Sequence, residues 1–80
     1  MTYPSRTDTD IIISLILVIG EHSMIRKTHL MEKSNMNSKR LKLYLNWLEL
    51  NDLVRIDGQK ITLTEHGIRF RSRCLELVEA

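Results

Sequence analysis

Hydrophobic and polar positions divide this 80-residue chain into four helical segments and one pair of strands. From Thr9 to Gly20 the chain is almost continuously apolar: Ile12, Leu15, Ile16 and Ile19 form a stripe at helical spacing, and Ile11, Ile13, Leu17 and Val18 cover much of the remaining circumference. The run reaches about eleven residues, longer than a usual strand, so it predicts a helix over about 9–20. Thr9 or Asp10 can serve as its N-cap and Gly20 as its stop. A helix apolar on nearly every side needs cover from more than one direction, and a second copy of the chain is the expected source.

Ser23 can cap a second helix over about 24–33, with Ile25, Leu30 and Met31 inward and Arg26, Lys27 and Lys33 outward. Ser34, Asn35, Met36 and Asn37 make a polar break, and both asparagines suit the left-handed or capping conformations of a tight turn. A third helix follows over 38–50, where Leu41, Tyr44, Leu45 and Leu48 fall at i, i+3, i+4 and i+7. Lys39, Lys42, Asn46 and Glu49 take the opposite face, with Arg40 beside them.

After Asp52 the period shortens to 2, over 54–63. A two-residue turn at Gly58 and Gln59 sets Ile56 against Ile61 and Val54 against Leu63, all on one face, whereas a turn at Asp57 and Gly58 loses that match. The pattern therefore predicts a hairpin with Gly58 first in a type II′ turn. Thr64 then offers an N-cap to a last helix over about 65–78, with Phe70, Cys74, Leu77 and Val78 on one stripe and Ile68 with Leu75 on a second. The fold class is mainly α with a small β-hairpin, in the order α-α-α-β-β-α.

Length and composition limit the alternatives. Eighty residues is short of the roughly 100–200 of a usual domain, so residues 9–80 are expected to form one domain behind a flexible N-terminus, 1–8. At 42% hydrophobic and 28% charged residues, the composition is that of a globular chain. The longest apolar run falls well short of the roughly 20 residues of a membrane span, and a single cysteine, Cys74, allows no internal disulfide; a cytoplasmic, nucleoid-associated protein is expected. His22, His29 and His66 are scattered, without an HExxH motif, and there is no glycine-rich phosphate loop, so no metal, cofactor or catalytic activity is expected.

Charge changes the picture more. The total is only +2, but residues 24–46 carry Arg26, Lys27, Lys33, Lys39, Arg40 and Lys42 against Glu32 alone, a net of +5. That concentration on the second and third helices points to an anionic partner.

Two helices joined by a short polar turn, the second followed by a tight hairpin, predict a helix-turn-helix with a wing, whose second helix reads the DNA major groove. The candidate base-reading residues are then Asn37, Ser38, Lys39, Arg40, Lys42 and Asn46, since Lys and Arg suit guanine acceptors and Asn suits adenine. Arg26, Lys27 and Lys33 are candidates for phosphate contacts, and Arg55, Gln59 and Lys60 for contacts from the wing. A protein-interaction module on the same fold, or an RNA-binding protein, is the alternative.

The stretch Lys27–Gly67 resembles the small archaeal winged-helix DNA-binding proteins. The likeness is carried by Thr28, Leu30, Met31 and Asn35, the leucine-rich third helix, Leu53 before the wing, and Leu63, Thr64 and Gly67 after it. The resemblance implies a transcriptional regulator or chromatin protein that binds double-stranded DNA as a homodimer. Some members dimerise through a long C-terminal helix. Here the last helix is expected to close near Val78, so the dimer contact is assigned to Ile11, Val18, Ile68 and Leu75.

Overall fold

The computed structural model describes residues 8–79, with side chains described as far as Glu76. Most of the expected N-terminal segment, and the side chains of Leu77 and Val78 of the last apolar stripe, lie outside what is described. The elements are α1 (Asp8–Gly20), β1 (Ile25–Arg26), α2 (Lys27–Ser34), α3 (Ser38–Leu50), β2 (Val54–Asp57), β3 (Lys60–Leu63) and α4 (Glu65–Glu79). The strands form one antiparallel sheet in the order β1-β3-β2.

The wing has the register set by its apolar alternation: Ile56 opposes Ile61 and Val54 opposes Leu63. Gly58 has φ 63° and Gln59 is absent from the positive-φ positions, the sign pattern of a type II′ turn. The asparagines of the helix-to-helix turn divide the work. Asn35 adopts φ 56° at the end of α2 and donates its N–H to the Met31 carbonyl, while Asn37 caps α3 by accepting the Arg40 N–H at 2.8 Å. Thr64 caps α4: its Oγ accepts the Gly67 N–H at 3.0 Å and its hydroxyl donates to the Asp52 carbonyl.

The second helix is shorter than its periodicity predicts. It begins at Lys27, not at Met24, and Ser23 does not cap it; the N-cap is Arg26, in an extended conformation with no side-chain cap bond. Ile25 and Arg26 instead pair with Ile61 and Lys60, occupying the otherwise open edge of β3. The reason is tertiary. Ile25 is buried in the common core as a strand residue, and the Lys27 N–H that a side-chain cap would leave free donates to the Gln59 carbonyl at 2.9 Å.

The core is built around α1. Leu15, Ile16 and Ile19 are fully buried and meet Ile25, Leu30, Leu41, Leu45, Leu48, Leu53, Val54 and Ile61 in one cluster. α1 packs against α2, α4 and β3, so the cover expected from a second copy is supplied largely by the chain itself. Ile11 is 4% exposed and belongs to that core, which removes it from any dimer surface. Tyr44 ties α3 to the start of α1, its hydroxyl donating to Asp8 Oδ1 at 2.8 Å. Cys74 is a buried core residue, and burial pushes its thiol pKa up. No helix among the described residues is long and apolar enough to cross a membrane.

Candidate nucleic-acid interface

Residues 39, 42, 46 and 49 recur at helical spacing along α3, so Lys39, Lys42, Asn46 and Glu49 share a face that borders the Leu41–Leu45–Leu48 core stripe. The same face forms one wall of a groove of about 500 Å³ that α2 and the wing complete with Lys27, Met31 and Ile56. Ser38 lies at its rim, and Leu41 and Leu45 contribute to its floor. The arrangement is a concave slot with an apolar base and three ammonium groups. Among the described residues, Glu49 is the single acid that lines it. Among the described residues none of the three lysines is in an ion pair; the pair that does form, Arg69–Glu65, spans 3.1 Å on exposed side chains of α4.

The β-register defines a second basic surface. Arg26 stands opposite Lys60, Lys60 opposite Asp57 and Arg55 opposite Thr62, and residues directly opposite one another share a face of the sheet. Arg26, Arg55 and Lys60 are all exposed on the wing, with Asp57 among them. Arg26 belongs to this set because it is a strand residue and not a residue of α2. Gln59 is exposed at the turn, its carbonyl bonded to the Lys27 N–H.

Three candidates stand apart from the groove. Arg40 is about 100° around α3 from Lys39 and lines a separate concavity with Asp8, Thr9, Ile12, Leu43, Tyr44 and Trp47. Lys33 lines a shallow recess with Ser14, Leu17, Val18 and Ser34 between α1 and α2. The Asn37 side-chain oxygen is engaged as the cap of α3. Of the expected dimer residues, Ile68 is 56% exposed, Leu75 is half-buried, and Val18 is half-buried against the core.

Leu43, Trp47 and Leu50 are exposed along a single flank of α3, a feature that neither the charge pattern nor the core pattern announces. Their i, i+4, i+7 spacing carries the signal, and the stronger core stripe on the same helix masks it. The histidines form no metal cluster; among the described residues no group of three or more potential ligands comes together. His22 instead donates from Nδ1 to the Val18 carbonyl and packs edge-on against His29, with ring centroids 5.3 Å apart.

Two helices joined by a tight polar turn, the second leading into a hairpin and a closing helix, define a winged helix-turn-helix protein. The chain belongs to that family, whose model, described as winged helix-turn-helix, matches residues 5–80. Among solved structures it is similar to the crystal structure of Sso10a-2, a DNA-binding protein from Sulfolobus solfataricus. The TM-score is 0.71 at 19% sequence identity, over 92% of this chain and 80% of that one, a likeness of fold. No curated protein matches the chain.

Proposed function

We propose that the protein binds double-stranded DNA as a homodimer and acts in transcription regulation, with α3 in the major groove. The observation that carries this reading is the convergence of Lys39, Lys42 and Asn46 from α3 with Lys27 from α2 in one groove, with no ion pair among the described residues to neutralise the lysines. In the helix-turn-helix docking geometry the second helix of the pair presents such a face to base edges. The residue types suit base reading, since lysine donates to the O6 and N7 acceptors of guanine and asparagine makes a bidentate pair with adenine. Arg26, Arg55 and Lys60 on the wing supply sequence-independent phosphate contacts that hold the register. The DNA-binding character of the similar Sulfolobus solfataricus protein supports the same assignment. The role is one of binding and not of catalysis.

Val18, Ile68 and Leu75 are the residues proposed for the dimer contact, and Ile68 is the most exposed of them. Selection from random duplexes tests both parts together. A dimer of winged helices enriches a palindrome with half-sites about one helical turn apart. Recovery of unrelated sequences at background affinity, or preferential recovery of RNA in a parallel pool, would contradict the proposal.

A further inference from the structure

Leu43 is 66% exposed, Trp47 44% and Leu50 84%, so three large apolar side chains occupy one flank of α3. Such a contiguous apolar surface marks an interaction site more often than scattered exposed residues do. Trp47 is the only tryptophan in the chain. The concavity beside it, about 530 Å³, is lined by Ile12 and Tyr44 and carries one acid and one base, Asp8 and Arg40. Tryptophan, tyrosine and arginine are the residue types that dominate interface energetics.

The charges indicate what fits there. Asp8 and Arg40 line the same concavity, yet no ion pair joins them, and the carboxylate is engaged by the neutral Tyr44 hydroxyl. A surface with an acid and a base beside an apolar stripe can be complementary to itself. A twofold axis would set Arg40 of each copy against Asp8 of the other and lay the two Leu43–Trp47–Leu50 stripes together, the isologous pattern of a homodimer contact. This flank adjoins the Lys39–Lys42–Asn46 face on the same helix. A chain seated on DNA by that face therefore holds its Trp47 flank beside the duplex.

We propose that the Leu43–Trp47–Leu50 flank of α3, with Asp8 and Arg40 at its rim, docks a second copy of this chain bound to the adjacent stretch of the same duplex. The inference rests on the DNA-binding reading above and adds to it a contact separate from Ile68 and Leu75. Two distinct self-contacts per chain would extend along DNA as an array and would not close into a single dimer.

The test compares a duplex long enough for several copies with one that holds a single dimer, using Trp47 emission and per-site affinity. On the long duplex, binding is expected to be cooperative, roughly tenfold tighter per site, within the usual range of coupling between sites. Trp47 emission is expected to shift to the blue as sites fill, and neither effect is expected on the short duplex. Leu43→Gln, which brings no charge to the duplex, should remove both while leaving short-duplex affinity nearly unchanged. Asp8→Arg and Arg40→Asp should each weaken cooperativity, and the double swap should restore it.

An equal emission change on the short duplex would mean that Trp47 meets DNA and would overturn the proposal. So would emission already blue and unaffected by DNA, which would mean that residues 1–7 or another part of the chain cover the stripe. Cooperativity that survives Leu43→Gln would also overturn it. Failure to bind even the short duplex would refute the DNA reading itself, and this inference with it.

Discussion

Gly67, in the first turn of α4, lies against the main-chain carbonyl of Leu53, so closely that a Cβ at position 67 would overlap the oxygen. The same oxygen accepts the Thr64 N–H at 3.1 Å, and the Thr64 hydroxyl reaches the neighbouring Asp52 carbonyl. The start of α4 is thereby fastened to the segment that joins α3 to the wing.

Gly67→Ala is expected to destabilise the fold by about 3 kcal/mol, because backbone and not a flexible side chain must yield. Gly58→Ala is expected to cost about 1–2 kcal/mol, since nothing lies near its Cβ position and only its φ of 63° resists the change. Denaturant unfolding of both variants checks the order; equal losses would contradict the close approach.

The three cations of α3 are expected to separate functionally. Lys39→Gln and Lys42→Gln should each weaken duplex binding and reduce the magnitude of the salt slope by about one, the signature of a lost phosphate or groove contact. Arg40→Gln should leave single-site binding close to the wild type, because Arg40 lines the concavity beside Trp47. Electrophoretic mobility shifts on a short duplex at several salt concentrations distinguish these outcomes.

Asn37→Ala is expected to lower stability by about 1 kcal/mol through loss of the α3 cap, and Asn37→Ser to retain most of it. A base-reading role for Asn37 would instead appear as changed sequence preference at unchanged melting temperature. Thermal unfolding combined with binding to base-substituted duplexes separates the two.

Much of the fold is legible in the sequence, and the exceptions share a physical cause. The range of α3 and the register of the wing follow from periods of 3.6 and 2 that run long enough to fix a phase. Ile25 and Arg26 make a strand of two residues, too short to show any period, and only the open edge of β3 turns them from helix to sheet. Charge alone groups Arg40 with Lys39 and Lys42, although successive residues on a helix point about 100° apart. Ile11 resembles surplus surface in the sequence because the apolar circumference of α1 gives no indication of how many elements will pack on it. Lys33 shares the charge of the groove lysines, but the position of α1 decides which side of α2 meets the groove, and Lys33 lies on the other side.

The central claim, that the Lys27–Lys39–Lys42 groove and the Arg26, Arg55 and Lys60 side chains of the wing engage the DNA backbone and bases, is tested most directly by the salt dependence of duplex affinity. If these cations, about six per chain, each displace a counterion, log affinity should fall against log salt with a slope of about −5 per chain. A slope near zero, or no duplex binding at low salt, would contradict the account.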